Sequence, residues 1–442
     1  MPPNYDSGDT AWLLVSTAMV LLMTPGLAFF YGGMVRTKHV LVMLKMSFAC
    51  LALVSVVWLA VGYSLAFSGD VGGVGLIGDL HQSFLRGVGP TTLTGHIPTY
   101  VFATFQMAFA IITVALISGS IAGRARMGGW LVFTVLWTLI VYVPLAHWVF
   151  APQGWVVHHL GALDFAGGLP VELNSGASGL AVAMVLRGRA DFRRLELRPN
   201  NVPLVALGLA LLWFGWFGFN AGSALKDQGT AATALLNTQL GAAGAMITWP
   251  LMERWQHSRI TMTGVCSAAV AGMVAITPAC GEISPVGALI TGLVAGLVCA
   301  FAITLKYRVG VDDTLDVVGV HGWGGATGLV MVGLMATTQV SGHKGLFYGG
   351  GFDLLGKQVV AILACGAFSF ALTWAIARAI EATVGFRSAD AYADVPGEDQ
   401  EVAYDFRTVQ QVGGLAAARD AGSDRELLDA IRDLVREREA DR

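Results

Sequence analysis

The sequence predicts an all-α polytopic membrane protein with eleven transmembrane helices, arranged as two inverted five-helix repeats plus a final helix. Of its 442 residues, 55% are hydrophobic and only 13% are charged, about half the charged share of a soluble globular domain. The 56 glycines lie among Leu, Ala and Val without a collagen-like period, as in packed membrane helices. This composition argues against a cytosolic enzyme.

The number of spans follows from the length of the apolar stretches. A helix that crosses about 30 Å of hydrocarbon needs about 20 mostly apolar residues. Eleven stretches satisfy this condition, and they lie approximately at 11–33, 41–67, 99–122, 129–150, 169–187, 202–222, 230–250, 261–278, 284–305, 317–338 and 356–381. No basic residue precedes the first stretch, so no signal-peptide n-region is visible and this span is expected to remain as an anchor.

The chain changes character near residue 384, which divides it into two predicted parts. Residues 1–383 form the predicted transmembrane domain, and 384–442 carry 14 Asp and Glu against 8 Lys and Arg, which predicts a soluble regulatory tail. Within it, Ser423 and Glu426 form a capping-box pattern. The following apolar residues predict a short amphipathic helix, with one face formed by Leu427, Leu428, Ile431, Leu434 and Val435.

The orientation of the spans follows from the positions of Lys and Arg, because basic residues in short loops stay in the cytoplasm. Fourteen lie around the loops after odd-numbered spans, for example at Arg124, Arg187 and Lys306, and only four lie after even-numbered spans. The pattern predicts an N-terminus outside and a C-terminus in the cytoplasm.

Charge and cysteine content exclude several function classes. The net charge of -3 provides no basic footprint, so nucleic-acid binding is not expected. The five cysteines lie in or beside apolar runs without metal-ligand spacing, and we interpret them as small buried hydrophobic residues. No nucleophile–base set, nucleotide loop or metal cluster appears, so the sequence predicts no enzyme, cofactor or metal site.

Ionisable residues inside spans are costly and by default mark a pathway. Glu172 falls in the fifth span after Asp164, and His321 falls in the tenth span after Asp312, Asp313 and Asp316. Each half of the chain thus supplies one buried proton-active side chain, as expected of a transporter built from inverted repeats. Alternatively, the pair only caps or cross-links helices, and Asp164 only satisfies backbone N–H groups at a helix start.

Aromatic residues form a second pattern, in the third, fourth and sixth spans. Phe105 and Phe109, Phe150, and the run WFGWFGF at 213–219 could stack around a small cation such as ammonium, because a ring face attracts a desolvated cation. Ring packing alone would explain the same residues. For Trp58 and Trp249, near span ends, we favour the interfacial aromatic belt.

Five segments together resemble the Amt/Mep/Rh ammonium transporter family. They are TPGLAFFYGG at 24–33, DFAGG at 164–168, GWFGFNAGS at 215–223, TPACG at 277–281 and DVVGVHG at 316–322. The resemblance implies a homotrimer in which each subunit has its own pore, embedded in the lipid of the cell's inner (plasma) membrane. Its N-terminus would be outside and its tail cytoplasmic, the orientation that the charge pattern predicts independently.

The resemblance also implies roles for the outer pore residues. Phe109 and Phe219 resemble the two stacked rings that close the pore below the outer vestibule. Ser223 and Asp164 resemble the serine that hydrogen-bonds ammonium and the aspartate whose negative field favours it.

Three further aromatic positions complete the resemblance at the outer site. Trp216, together with Phe105, resembles a neighbouring wall residue. Phe150 stands where the family commonly has a vestibule tryptophan, and it offers a ring face without an N–H donor.

The main departure from the family lies deeper in the pore. The family usually has two histidines that share a hydrogen bond; His321 fits the second, whereas Glu172 stands in place of the first. Some family members resemble this arrangement, so the change does not imply an inactive pore. The two groups are expected to titrate as a coupled pair.

The sequence therefore predicts ammonium transport with separate paths for ammonia and its proton. Ammonium would be recruited at Phe109, Phe150 and Ser223, would lose a proton, and would pass the phenylalanine gate as NH3. The proton would cross by the Glu172–His321 pair, which makes transport electrogenic. The alternative is an ammonium sensor or transceptor that signals through the tail, where a PII-type regulatory protein is a possible partner.

Overall fold

The computed structural model describes residues 4–189, 192 and 198–388, and its fold is built almost entirely from helices. The eleven main helices are α1 (Ser7–Met34), α2 (Val40–Val57, Trp58–Gly62 and Tyr63–Phe67), α3 (Thr99–Ile117), α4 (Met127–Trp137, Thr138–Tyr142 and Val143–Phe150), α5 (Gly168–Leu173 and Asn174–Leu186), α6 (Val202–Gly222), α7 (Gly229–His257), α8 (Met262–Ile276), α9 (Pro285–Val309), α10 (Val318–Gly322 and Trp323–Met335) and α11 (Asp353–Thr383). One small hairpin pairs β1 (Leu93–Thr94) with β2 (Ile97–Pro98).

Each predicted span coincides with one of these helices. Within the described ranges, nine helical segments are long and apolar enough to cross a membrane. Of the other two, α8 has only 15 residues, and α7 is long but carries the polar side chains of Asn237 and Gln239 at mid-length. The polytopic helical fold is confirmed. The exact number of crossings and the inverted repeat remain predictions.

Four helices contain a π-helical turn, which the sequence did not indicate. These turns cover Trp58–Gly62 in α2, Thr138–Tyr142 in α4, Gly168–Leu173 in α5 and Val318–Gly322 in α10. Such turns are frequent at functional sites because they displace side chains from the regular helical register. The last two turns carry Glu172 and His321.

Helices approach each other closely where glycine removes the side chain. A Cβ atom at Gly208 of α6 would meet the backbone of Phe30 in α1, and one at Gly292 of α9 would meet the backbone of Gly241 in α7. In a membrane, where lipid is as apolar as leucine, close backbone contact of this kind supplies much of the packing energy. The abundant glycine of the sequence thus serves helix packing.

Some apolar side chains lie where the sequence predicted and others do not. All five cysteines are buried and unpaired, which confirms their interpretation as small core residues. Assigning Trp58 and Trp249 to an interfacial belt is wrong, because they are only 2% and 3% exposed. The indole N–H of Trp58 donates to the carbonyl of Ala103 at 3.0 Å, so this polar tip is satisfied inside the protein rather than by water.

On the predicted cytoplasmic side, a buried guanidinium joins three connecting segments. Arg124 is fully buried and donates to the carbonyls of Ser120, Arg187 and Asp312. The Asp312 carboxylate also lies 3.4 Å from Arg124 Nη1 and accepts from Arg189 at 2.8 Å. We name Arg124, Asp312 and Arg189 the cytoplasmic ion cluster. It connects the segments after α3, α5 and α9.

The predicted tail is described only through residue 388. Phe386 is fully buried and packs on Phe133 of α4, with ring centroids 5.4 Å apart. The carbonyl of Phe386 accepts from the Arg126 N–H at 2.8 Å. The predicted amphipathic helix after Ser423 lies outside the described residues.

Candidate transport pore

Two stacked phenyl rings lie at the centre of the candidate pore. Phe109 of α3 and Phe219 of α6 have ring centroids 4.0 Å apart and an interplanar angle of 23°. Each side chain is only 1% exposed. The rings leave no room for a hydrated ion between them in this conformation, which fits the predicted role of a gate.

Further aromatic side chains surround this stack. The Phe150 ring meets Phe109 edge-on at 6.0 Å, and Phe105 packs against Phe109 at 4.8 Å. Trp216 lies 5.9 Å from Phe219, and its indole N–H donates to Thr277 Oγ1 at 3.0 Å. The Trp216 N–H is therefore already paired, and its ring face is what this residue can offer to a cation.

Ser223 lies one helical turn beyond Phe219, toward the predicted outer side. Its hydroxyl donates to the Phe219 carbonyl at 2.8 Å, and the residue is half-buried. With the hydroxyl proton directed at that carbonyl, the oxygen lone pairs remain available to accept a hydrogen bond. An ammonium N–H is a donor of the required kind.

Asp164 caps the first turn of α5. Oδ1 accepts from the N–H groups of Gly167 and Gly168 at 2.9 and 2.6 Å, and Oδ2 accepts from Leu169 at 2.6 Å. The sequence left open that Asp164 only satisfies backbone N–H groups, and its carboxylate does accept from the exposed donors of a helix start. A role in recruitment would act through its charge rather than through a free oxygen.

Asp313, one of three acidic residues that precede His321 in the sequence, caps α10 in the same way. Its two oxygens accept from Val317 at 3.2 Å and Val318 at 2.7 Å. Asp316, which is nearer to His321 in the sequence, instead pairs with Lys306 at 2.5 Å. The usable signal was spacing, since Asp313 precedes His321 by eight residues, as Asp164 precedes Glu172.

The two ionisable side chains inside the spans are in direct contact. His321 Nδ1 and Glu172 Oε2 are 2.7 Å apart, and the side chains are 5% and 1% exposed. The helices α5 and α10 begin on opposite predicted sides of the membrane, so contact between their first turns is expected near the middle of the bilayer. Glu172 Oε1 is buried and has no hydrogen-bond partner among the described residues.

Glycines on both helices allow this contact. A Cβ atom at Gly176 of α5 would collide with the backbone of Gly322 in α10, and one at Gly325 would lie 2.9 Å from the Glu172 Cβ. Larger residues would push the two first turns apart. The helix crossing thus determines whether Glu172 and His321 can share a hydrogen bond.

The ring stack and the acid–imidazole pair are linked through α3. Thr113 Oγ1 donates to the Phe109 carbonyl at 2.5 Å, and Ser175 Oγ of α5 donates to the Thr113 carbonyl at 3.2 Å. One helical turn, about 6 Å of rise, separates Phe109 from Thr113. The hydrogen bond to Thr113 therefore connects the helix of the ring stack with α5 three residues after Glu172.

Metal binding has no support in the described part of the chain. Residues 4–189, 192 and 198–388 contain no group of three or more His, Cys, Asp or Glu side chains that could hold a metal ion. What the arrangement offers instead is aromatic faces, one hydroxyl oxygen and one buried acid–imidazole pair. These groups can bind a small cation and hold a proton.

Comparison with known proteins identifies the family. The Ammonium Transporter Family matches residues 11–403. An ammonium transporter of Mycobacterium tuberculosis is 46% identical over 434 residues, which covers 91% of this chain and 91% of that protein. The crystal structure of Saccharomyces cerevisiae Mep2 is 36% identical, with a TM-score of 0.83 over 88% of this chain and 89% of that chain.

A sensor Amt protein of known structure is also similar. It is 27% identical, with a TM-score of 0.81 over 90% of this chain and 98% of that chain. The family predicted from the five sequence motifs is confirmed, and ammonium transport is the function that this membership supports. With its apolar helices and its matched extent, the chain belongs to the ammonium transporter family.

Proposed function

We propose that this chain recruits ammonium at its outer aromatic site, removes one proton, conducts NH3 past the ring stack and carries the proton across the membrane by a separate path. The observation that carries the proposal is the buried contact of 2.7 Å between His321 Nδ1 and Glu172 Oε2. A carboxyl and an imidazole at membrane depth are costly, and a place in a proton path would account for their presence.

Recruitment depends on the faces of Phe109, Phe150 and Trp216 and on the oxygen of Ser223. A ring face attracts a desolvated cation by up to about 2 kcal/mol, and the Ser223 oxygen can accept one ammonium N–H. Asp164 contributes through its negative field, because both of its oxygens already accept backbone hydrogen bonds.

Deprotonation lowers the desolvation cost of passage through the gate. An ion that crosses apolar walls without water loses its hydration energy, and neutral NH3 loses far less. One N–H bond of ammonium breaks, the nitrogen keeps the electron pair, and the proton passes to water near Asp164. Ammonia then crosses between Phe109 and Phe219 when the rings rotate apart.

The proton crosses by water and the Glu172–His321 pair. One proton can be held between Nδ1 and Oε2, so the pair accepts a proton on one side and releases one on the other as a coupled unit. The sum of both paths is one ammonium ion carried per cycle, with net movement of one charge.

The test is the current across a solid-supported membrane after an ammonium jump, with protein-free liposomes and a potassium jump as controls. The wild type is expected to give a sustained, ammonium-specific current. Glu172→Gln keeps an acceptor for His321 but removes the ionisable carboxyl, so we expect the current to fall by about tenfold or more.

Glu253→Gln provides the matched control, because it makes the same exchange at a half-buried carboxyl that accepts hydrogen bonds from Thr261 and lies outside the pair. Its current is expected to stay within about twofold of wild type. An unchanged current in Glu172→Gln would refute the relay. A current lost equally in both variants would show a general effect of removing a carboxyl.

A sensor or transceptor is the second candidate function, favoured by the similarity to the sensor Amt protein. In that case ammonium would bind and signal through the tail, with a PII-type protein as a possible partner. A brief binding transient without sustained current, in folded protein that binds ammonium, would favour this candidate over transport.

The assembly and location that accompany transport are also proposals. We expect a homotrimer in the lipid of the inner (plasma) membrane, with one pore per subunit. The N-terminus would be outside and the tail cytoplasmic.

A further inference from the structure

Gln358 in α11 is a buried amide that pairs with both polar groups of one backbone residue. It is fully buried. Its Oε1 accepts from the Leu163 N–H at 2.8 Å, and its Nε2 donates to the Leu163 carbonyl at 2.7 Å. Nε2 also lies 3.3 Å from the carbonyl of Leu329 in α10. One side chain thus ties α10 and α11 to the segment that precedes α5.

This contact fixes the residue directly before Asp164. On the other side of Asp164, the Phe165 N–H donates to the Pro278 carbonyl at 3.1 Å. Asp164 is therefore held between two anchored neighbours, while its carboxylate caps the helix turn that carries Glu172. Loss of either anchor would free the backbone that positions both the Asp164 carboxylate and the helix turn with Glu172.

We propose that Gln358 is a positioning residue for ammonium recruitment: by clamping Leu163, it holds the Asp164 carboxylate in place beside the outer site. The inference rests on the proposed function, in which Asp164 acts through its field. Gln358 does not touch the substrate. Its amide is required because the clamp needs an acceptor for the Leu163 N–H and a donor for the Leu163 carbonyl at the same time.

A substitution that keeps nearly the same side-chain size can make the hydrogen bonds between residue 358 and Leu163 depend on pH. Gln358→Glu supplies an acceptor at every pH, but it supplies a donor only while the introduced carboxyl is protonated. We therefore expect the current, as a ratio to wild type, to be within about twofold at pH near 5.5 and about fivefold or more lower at pH near 8. The ammonium concentration for half-maximal current should rise over the same interval.

Gln358→Leu supplies neither group and cannot titrate. The ammonium current of this variant, as a ratio to that of wild type, should be low and should not vary with pH. Because the isosteric Gln358→Glu can be purified at low pH with its clamp intact, it carries the test alone if Gln358→Leu does not fold.

Asn200→Leu is the matched control for loss of an amide anchor. The Asn200 amide donates to the carbonyls of Gly32, Gly33 and Val35 at 2.6, 3.2 and 2.8 Å, so it anchors the end of α1 and not the segments on either side of Asp164. We expect it to lower the melting temperature as Gln358→Leu does, without changing the half-saturation concentration of ammonium.

The outcomes separate this inference from the function on which it rests. If wild type gives no ammonium current, the proposed transport fails. If wild type transports and Gln358→Glu keeps the same ratio at every pH, the positioning role is refuted. It is also refuted if Asn200→Leu shifts the half-saturation concentration as much as Gln358→Leu does, because the effect is then general destabilisation.

Discussion

Glu282 shows how a single buried carboxyl can make stability depend on pH. It lies in the connection between α8 and α9 and is 8% exposed. Burial raises its pKa to about 7, the Ser341 hydroxyl partly opposes this, and the negative charge of Asp164 adds to it. The folded state therefore binds more protons than the unfolded state between the ordinary pKa of Glu and about 7.

The sign of the effect follows from that excess of bound protons. The free energy of unfolding falls as pH rises wherever the folded state holds more protons, so ionised Glu282 destabilises the protein above pH about 7. Glu282→Gln should relieve up to about 3 kcal/mol of this cost. We expect the melting temperature of the variant, relative to wild type, to be higher at alkaline than at acidic pH.

Asp353→Asn serves as the comparison, because the Asp353 side chain is 73% exposed beside Lys357 and its charge is solvated. Its effect on the melting temperature should be small, because an exposed ion pair contributes about 0–1 kcal/mol. If the melting temperatures of the two variants changed equally with pH, the loss of stability at alkaline pH could not be assigned to Glu282.

At the scale of helices, the crossing of α5 and α10 sets the geometry of the proton pair. Gly176→Ala would place a methyl group against the backbone of Gly322, where no flexible side chain can move aside. Such overpacking costs about 1–3 kcal/mol, and separating the two first turns would lengthen the 2.7 Å contact of the pair. We expect a lower melting temperature and a loss of ammonium current of about tenfold or more.

Gly128→Ala tests whether any helical glycine would respond in this way. Nothing lies within 4 Å of a Cβ atom at Gly128 in the first turn of α4, so alanine should be neutral or slightly stabilising there. Retained current in Gly176→Ala would show that the pair tolerates a wider crossing.

The sequence predicts an element well when the element depends on consecutive residues, and poorly when it depends on local register or on distant contacts. Apolar length alone located all eleven helices, since each span is a property of consecutive residues. The π-helical turns under Glu172 and His321 are not visible in that way, because a local change of register leaves apolar length unaltered. Of their acidic caps, Asp164 is visible at a helix start in the sequence, whereas Asp313 is one of three acidic residues before His321 and only its spacing of eight residues distinguishes it.

The remaining parts of the site depend on contacts between distant residues. Gln358 is one polar residue in an apolar run, and nothing in the sequence links it to Leu163, 195 positions earlier. The stack of Phe109 and Phe219 was predicted from family resemblance rather than from aromatic spacing. Arg124 was counted as a loop charge, whereas its burial depends on three carbonyls from separate segments.

For the whole molecule, the charge pattern makes a prediction about orientation that labelling can test. All five native cysteines are fully buried, so they should not react with a membrane-impermeant maleimide. His81→Cys lies in the connection between α2 and α3, where the His81 side chain is 87% exposed, and we expect labelling in intact cells. Arg259→Cys, in the exposed connection after α7, should react only after permeabilisation.

The unsubstituted chain is the control for background labelling. If Arg259→Cys were labelled in intact cells and His81→Cys were not, the orientation would be inverted. Each helix would then keep its place in the fold, but the outer site and the cytoplasmic ion cluster would exchange sides of the membrane.

The cytoplasmic ion cluster also has a consequence for the kind of motion that transport can use. A carrier that works by rocking its two halves must separate helices on one side of the membrane in each cycle. Here that separation would pull the Arg124 guanidinium from the Asp312 carboxylate and from carbonyls on two other segments, and breaking a buried charged pair costs about 3–5 kcal/mol. Rotation of two phenyl rings requires no such loss, so permeation should be fast and channel-like, with each turnover set by side-chain motion rather than by movement of domains.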